Sequence, residues 1–141
     1  MELLPALAIS ASGLTAERLR LDLIANNLAN INTTRTPRGG PYRRQVPVFA
    51  EKLREALGQS PEQAPGRGVE VAAIVEDNTP PRLVYDPSHP DADPNGYVAL
   101  PNINIVTEMV DMITATRAYE ANVTVLNAAK AMTLKALEIG R

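Results

Sequence analysis

Cysteine and tryptophan are absent from the sequence, and histidine and phenylalanine each occur once. The lack of cysteine excludes a disulfide framework and thiolate chemistry, and it removes the most common ligand of structural zinc sites. Aromatic residues make up only 4% of the 141 residues, so a core must be built mainly from Ala, Leu, Ile and Val. Such small side chains suit close helix packing better than a large globular core.

Strong net charge and long apolar runs are also missing. The formal net charge is -2, which gives no strong attraction to nucleic acid or to an anionic membrane surface. No apolar run approaches the roughly 18 residues needed to span a bilayer. The N-terminus, MELLPALAIS, has Glu2 where a signal peptide carries positive charge, and Pro5 interrupts its apolar run. We therefore expect no nucleic-acid partner, no membrane insertion and no cleaved signal peptide.

Prolines divide the chain into three segments. All 12 except Pro5 lie between Pro37 and Pro101, so both ends are almost free of helix breakers. This predicts a mainly α fold with an N-terminal helix in residues 1–36, a Pro/Gly-rich middle segment over residues 37–100 and a C-terminal helix in residues 101–141. Two long helices at opposite ends of the chain indicate an antiparallel coiled coil, with a small β-rich middle segment looped out.

Heptad spacing predicts the seam between these helices. The first, roughly Leu4 to Ile31, carries leucines seven residues apart, with Ser10 and Glu17 as polar interruptions. The second, roughly Ile103 to Ile139, has an apolar stripe with steps of three and four. The predicted helix-pairing seam consists of Leu7, Leu14, Leu21, Ile24, Leu28 and Ile31 on the first helix and Val106, Met109, Ile113, Val123 and Leu126 on the second.

The middle segment is predicted to contain short strands joined by turns. VEVAAIVEDN, PRLVYD and YVAL have strand-like composition, and QVPVFAEKLREAL predicts a short extended piece with room for a helical turn after Val48. In the turn DPSHPDADPNG, the part from Asp91 matches the start of a calcium loop, but position twelve is Asn102 instead of Glu. His89 is the only histidine, so neither a zinc site nor a catalytic dyad has its usual partner. We favour a rigid surface turn, with no catalytic residue, metal or cofactor.

The segment RGGPYRRQ, which includes Arg43 and Arg44, forms a basic loop. A phosphate-binding loop would lead into a helix N-terminus, whereas Pro41 and the extended QVPVF follow here. Two interpretations remain: an exposed basic loop that meets an acidic neighbour, and a solvated loop.

Amides are concentrated where the first helix is expected to end, in ANNLANINTTRT. They either unwind the helix into the following loop or face other subunits, whose polar groups would satisfy them. The second helix also lacks a clean division into polar and apolar faces, which is typical of helices with neighbours on several sides. The predicted inter-subunit interface consists of Asn26, Asn27, Asn30, Arg43, Arg44, Tyr119, Asn122 and Asn127.

The motif ANNLAN, followed by Thr33 and Thr34, resembles the N-terminal motif of the bacterial flagellar axial family. RTPRGGPYRR stands where rod and hook relatives usually have Gly-Tyr/Phe-Lys, and this replacement resembles the proximal-rod subtype. GVEVAAIVEDNTPPRLVYDPSHPDADPNGYVALPN and EMVDMITATRAYEANVTVLNAAKAMTLKALEIGR also resemble that subtype. The resemblance therefore covers nearly the whole chain.

This resemblance implies a structural protein of the flagellar basal body and not an enzyme. Similar proteins are exported unfolded through the flagellar type III secretion channel and polymerise into the rod that crosses the periplasm. Their terminal helices pair as a coiled coil that lines the tube, and these helices tend to be disordered before assembly. The implied partners are other copies of the chain, other flagellar rod proteins, the rod–MS-ring adaptor protein and the flagellar export apparatus, with no small-molecule substrate.

Two other functions remain compatible with the residues alone. The chain would be a self-contained helical-hairpin binding module if a dilute monomer melted in a sharp transition. It would be an enzyme if combined substitution of His89, Asp91 and Asp93 abolished function while leaving assembly intact.

Overall fold

The computed structural model describes residues 3–51 and 68–141. Within these ranges the chain forms two long α-helices and four short strands, in the order α1, β1, β2, β3, β4, α2. The strands make two separate two-stranded sheets. The part of QVPVFAEKLREAL from Lys52 onward lies outside the described residues, and so does most of the helical turn expected after Val48.

Helix α1 spans Leu3–Ala29, two residues shorter at its C-terminal end than expected. At this end the amide of Asn30 turns back on the helix, with the side-chain Nδ2 donating to the backbone oxygen of Asn26 at 2.9 Å. The backbone then tightens into i to i+3 contacts, such as Thr33 N to Asn30 O at 3.1 Å. The unwinding interpretation therefore describes the last residues of the amide-rich stretch.

Helix α2 spans Ile105–Ile139. Asn104 caps its N-terminus, and its side-chain Oδ1 accepts hydrogen bonds from the backbone N–H groups of Val106 at 2.9 Å and Thr107 at 3.3 Å. Asn is among the preferred N-cap residues because it satisfies donors that have no partner within the helix. The helix therefore begins two residues later than expected, at the first position after a good cap.

The two helices contact each other and run antiparallel. Near one end Asn27 of α1 meets Glu108 of α2. Further along, α1 comes so close to α2 at Gly13 that a Cβ there would lie 2.9 Å from the Nδ2 of Asn122. Moving back 14 residues on α1 thus moves forward 14 residues on α2, so one register holds along the pair.

The strands form two antiparallel ribbons. Strand β1, Gln45–Glu51, pairs with β2, Val69–Glu76, with an irregularity between Val48 and Phe49. Strand β3, Arg82–Tyr85, pairs with β4, Tyr97–Leu100. These strands match the predicted VEVAAIVEDN, PRLVYD and YVAL.

Helix α1 holds the first ribbon through a close backbone approach. The backbone N–H of Val69 donates to the hydroxyl of Ser12 at 3.0 Å. Gly68 has a φ of 115°, and a Cβ on it would lie only 2.1 Å from the Ser12 Oγ. Only glycine fits this conformation and this gap, so the sequence places β2 directly against α1.

The buried face of α2 differs from the predicted seam at its N-terminal end. Val106, Met109 and Ile113 were expected in the seam, but they are 70%, 53% and 54% exposed. The residues buried on this helix are instead Glu108, Ala115 and Ala129. The prediction followed the largest apolar side chains, whereas close approach of the helices requires small ones.

The other predicted seam residues are at least partly covered. Ile24 is buried. The half-buried members of the set are Leu7, Leu14, Leu21, Leu28, Ile31, Val123 and Leu126. The contact between the helices thus combines half-buried leucines with small or polar residues, including the buried Ser10, Ala16 and Asn27 on α1.

Candidate functional site

The residues that the structure describes offer little for catalysis. No group of three or more His, Cys, Asp or Glu in residues 3–51 and 68–141 is arranged to hold a metal ion. In the turn expected to be rigid, Asp93 accepts backbone hydrogen bonds from Asn95 and Tyr97, and the Nδ1 of His89 accepts one from Asp91. These side chains stabilise the turn itself. Neither described helix is both long and apolar enough to cross a membrane.

The most specific arrangement is a polar cluster where α1, β1 and α2 meet. We call it the buried polar cluster, and its members are Asn27, Tyr42, Arg44, Gln45, Glu108 and Asp111. Asn27 and Glu108 are 1% and 0% exposed. Polar groups buried to this degree are tolerated only when they are hydrogen-bonded.

Asn27 binds the start of β1 as a neighbouring strand would. Its Nδ2 donates to the backbone oxygen of Gln45 at 2.9 Å, and its Oδ1 accepts from the backbone N–H of Gln45, also at 2.9 Å. The hydroxyl of Tyr42 donates to the same Oδ1 at 3.0 Å. The second Nδ2 hydrogen reaches the Oε2 of Glu108 at 3.3 Å. One amide thus joins three elements of the fold.

Glu108 brings a carboxylate into this closed environment from the first turn of α2. Its Oε1 accepts from the Nε of Arg44, and the Nη2 of Arg44 also donates to Asp111 at 3.2 Å. The position near a helix N-terminus favours negative charge. The Arg44 side chain remains 23% exposed, so the cation keeps some water while the anion does not.

Tyr42 stays a hydrogen-bond donor in this cluster. Its burial, helped by the carboxylates of Glu108 and Glu76, raises the pKa of Tyr42 above the ordinary value of 10.0. The phenol is therefore protonated at neutral pH and can donate to Asn27.

A second set of contacts ties the turn that contains Asp91 to the end of α1. Asp91 accepts a hydrogen bond from the hydroxyl of Thr34 at 2.6 Å and pairs with Arg35. The bond from Thr34 is the main cause that lowers the pKa of Asp91, with a further contribution from Arg35. The turn is thereby held to the loop between α1 and β1.

Large apolar residues lie on the outside of α2. Val106, Met109, Val110 and Ile113 are each more than half exposed. Their spacing of i, i+3, i+4 and i+7 places them on one face of the helix, which we call the outer stripe. In a single chain, the apolar face of α2 is therefore exposed to water, whereas the face with small and partly polar residues is buried.

The comparisons with known proteins agree along the whole chain. Residues 7–35 match the family described as Flagella basal body rod protein, and residues 95–139 match Flagellar basal body rod FlgEFG protein C-terminal. The chain is 50% identical to the flagellar basal-body rod protein FlgC of Borreliella burgdorferi, over 99% of this chain and 98% of that one. It is 44% identical to the protein of the same name from Salmonella typhimurium, over 100% of both chains.

The chain belongs to the FlgC family of flagellar basal-body rod proteins. A FlgC protein of Bacillus subtilis is a further relative at 45% identity, over 96% of this chain and 97% of that one. The FlgC family consists of structural proteins of the flagellar rod and not of enzymes. Family membership therefore supports a structural role at the flagellar basal body, and it confirms the resemblance drawn from the motifs.

Some residues predicted to face other FlgC-family subunits make their contacts inside the chain. Asn27 is buried against its own β1 and α2, and Arg44 pairs with Glu108 and Asp111. Asn122 is half-buried beside Gly13, and its Nδ2 donates to Ala118 O at 3.0 Å. The interpretation of Asn27 as an amide that faces other subunits is thus corrected, because its partners come from distant parts of the same chain.

The remaining predicted interface residues lie nearer the surface. Asn26, Arg43 and Asn127 are exposed, and Asn30 and Tyr119 are half-buried. The guanidinium of Arg43 donates to Asn78 at 3.0 Å. The basic loop does meet acidic groups of the same chain, since Arg38 pairs with Glu76 and Arg44 pairs with Glu108.

Sequence reasoning missed Glu108 as a site residue. The only available signal was its position as an acidic residue among the apolar residues at the start of α2. Its partner Asn27 lies 81 positions away in sequence, so no local pattern could connect the two.

Proposed function

We propose that this chain is a structural subunit of the proximal rod of the bacterial flagellum, which polymerises with copies of itself and with other rod proteins. In this proposal the subunit is exported through the flagellar type III secretion system and becomes part of the shaft that crosses the periplasm. Helices α1 and α2 pair as a coiled coil in the wall of that shaft. The rod–MS-ring adaptor protein and the export apparatus are further partners.

The observation that carries this proposal is the outer stripe. Exposed apolar side chains at i, i+3, i+4 and i+7 are the pattern of a helix that packs against another element. The face of α2 toward α1 is occupied by Glu108, Ala115 and Ala129, so the outer stripe requires a different neighbour. In a rod built from repeated copies, adjacent subunits supply such neighbours.

The size of the outer stripe favours a polymer over an isolated pair. Full burial of one aliphatic side chain removes roughly 100 Å² from water, so four half-exposed ones offer roughly 200 Å². A standard interface buries about 800 Å² per partner. The stripe alone is too small to hold two copies together, whereas several modest contacts around each subunit would add up in an assembly.

The exposed Asn26, Arg43 and Asn127 complete the proposed inter-subunit surface. Uncharged amides can be buried between neighbours without removing a charge from water, provided that each finds a hydrogen-bond partner. Tyr119, which is half-buried, offers an apolar ring and a hydroxyl at the edge of this surface.

The test places a charge on the outer stripe without disturbing the single chain. Ile113→Asp should leave the thermal stability of the isolated protein almost unchanged, because the side chain is 54% exposed. The same variant should abolish rod assembly, measured as swimming and as recovery of rods from a strain that carries it, because assembly would bury an unpaired charge. Thr114→Asp is the control, since it introduces the same residue at an exposed position on another side of the same turn.

Normal swimming with Ile113→Asp would contradict the proposed role of the outer stripe. Equal loss of swimming with Thr114→Asp would also contradict it, because the effect would then not be specific to the apolar face. A stable monomer that never assembles, whatever the variant, would favour the helical-hairpin binding module.

A further inference from the structure

The contact between α1 and α2 contains a repeat that could fit in more than one register. Leu7, Leu14, Leu21 and Leu28 recur every seven residues on α1, and all four are half-buried. A shift of one heptad therefore places a leucine in three of these four positions.

The facing side of α2 repeats in the same way. Ala115, Asn122 and Ala129 are seven residues apart and covered, and Ala136 continues the series. Met112, Tyr119 and Leu126 form a second series of larger half-buried residues with the same spacing. Sliding α2 by seven residues exchanges Asn122 for alanine in the first series and large residues for large ones in the second, so apolar packing alone discriminates weakly between registers.

The buried polar cluster does not repeat. Asn27 and Glu108 have no equivalents seven residues away, where the sequence has Arg20 and Thr34, and Pro101 and Ala115. A slip would separate the Glu108 carboxylate from the Asn27 amide and from Arg44, which precedes the strand bound to Asn27. It would bring Glu108 opposite Thr34, beyond the end of α1, in one direction and opposite Arg20 in the other, and Asn27 would face Ala115 or Pro101. Buried polar groups that lose their partners are costly, and a single such contact is known to set helix register.

We propose that Asn27 and Glu108 determine the register of α1 against α2. In the observed register Leu3 lies opposite about Met132, so α2 continues beyond α1 for its last two turns, and residues 130–141 are all exposed. A slip of one heptad would change the length of this free end by about 10 Å. The register thus sets how much of α2 is available to the next subunit; that consequence rests on the proposed function, whereas the register itself does not.

Cysteine pairs can report the register directly because the natural sequence has no cysteine. Gly13→Cys/Asn122→Cys reports the observed register, since a Cβ on Gly13 would lie 3.2 Å from the Asn122 Cγ. Gly13→Cys/Ala115→Cys and Gly13→Cys/Ala129→Cys report slips of one heptad in either direction. Each pair is introduced into the full-length chain, and the rate of intramolecular disulfide formation is followed in the purified protein.

The observed-register pair should form its disulfide at least about tenfold faster than either slipped pair, a factor that corresponds to about 1.4 kcal/mol. In the background Asn27→Leu/Glu108→Leu this preference should fall to within about threefold, because the apolar repeats remain and the polar contacts do not. Glu108→Gln should keep the preference, since its amide oxygen can still accept from Arg44 or from Asn27, a contact that a slipped register lacks.

Ile103→Ala is the matched control for lost stability. Ile103 is 8% exposed just before α2, so this variant weakens packing at the same end of the helix without removing a polar contact. It should lower stability yet retain the preference for the observed register. If Asn27→Leu/Glu108→Leu loses its helical circular dichroism, Glu108→Leu alone serves as the second background, because it keeps the bonds between Asn27 and Gln45.

An unchanged preference in the apolar background would overturn the proposal, and so would equal rates for the three pairs in the otherwise natural chain. Loss of the preference in Ile103→Ala would also overturn it, because general stability would then explain the register. These results come from purified protein, so they are independent of the swimming test with Ile113→Asp.

Discussion

Removing Arg44 should destabilise the protein far more than removing the charge of its partner. In Arg44→Met the Glu108 carboxylate keeps its long hydrogen bond from Asn27 but loses its counter-ion, in a position where the side chain is 1% exposed. Breaking a buried ion pair from one side typically costs about 3–5 kcal/mol. The remaining bond from Asn27 places the expected loss near the lower end, about 3 kcal/mol, which is a large share of a typical stability of about 5–15 kcal/mol.

Glu108→Gln removes the buried charge instead and should cost only about 1 kcal/mol, the scale of one weakened hydrogen bond. Arg44 then still pairs with Asp111 at 3.2 Å. The double variant Arg44→Met/Glu108→Gln should be more stable than Arg44→Met alone, because no charge is left buried without a partner. Urea unfolding followed by circular dichroism at neutral pH measures all three variants against the natural chain. Equal stability of Arg44→Met and the double variant would refute the reasoning, since Glu108 would then not be the source of the cost.

Two further predictions concern Gly68 and Tyr42. Gly68→Ala should lower the free energy of unfolding by about 1–3 kcal/mol, because Gly68 has a φ of 115° and an added Cβ would clash with Ser12. Adding Ser12→Ala to this variant should restore only part of the loss, since the backbone strain remains. Full restoration of the melting temperature would contradict the role assigned to the backbone conformation. The pKa of Tyr42 is raised in the folded protein, so the contribution of Tyr42 to stability is present below pH 10.0 and is lost as the pH rises through the folded-state pKa. The urea midpoint of Tyr42→Phe should therefore be lower than that of the natural chain at pH 8, but it should fall less than that of the natural chain between pH 8 and 11. Midpoints that fall in parallel for the two proteins would count against this linkage.

The helices and strands were predictable because their signals are local. Proline and glycine mark the middle segment, and the heptad leucines mark α1. The start of α2 was predicted two residues too early, although the Asn104 cap that fixes it is also a local contact, with residues two and three positions ahead. Each of these signals acts over a few residues, which is the range that a sequence pattern can show.

The face on which the helices meet was predictable only in part. On α1 the heptad pattern includes the buried Ile24 and the half-buried leucines, whereas on α2 it selected Val106, Met109 and Ile113, which are exposed. Apolar periodicity shows that a helix has an apolar face but not which neighbour covers it. Where a second neighbour is expected, the largest apolar stripe and the intramolecular contact can lie on different sides.

The contacts of α1 with the first ribbon have a mechanical consequence. Ser12 and Asn27 bind this ribbon at two points 15 residues apart, through Val69 and Gln45 respectively. About 22 Å of helix is therefore fastened at both ends to a second, hydrogen-bonded layer. A helix bound to a sheet at both ends resists bending and twisting better than one helix does. Among the described residues, the last turns of α2 are not packed against a sheet in this way. If the proposed rod is under torque, strain would concentrate at the free end of α2, and the part of α1 bound to the ribbon would turn as a stiff unit.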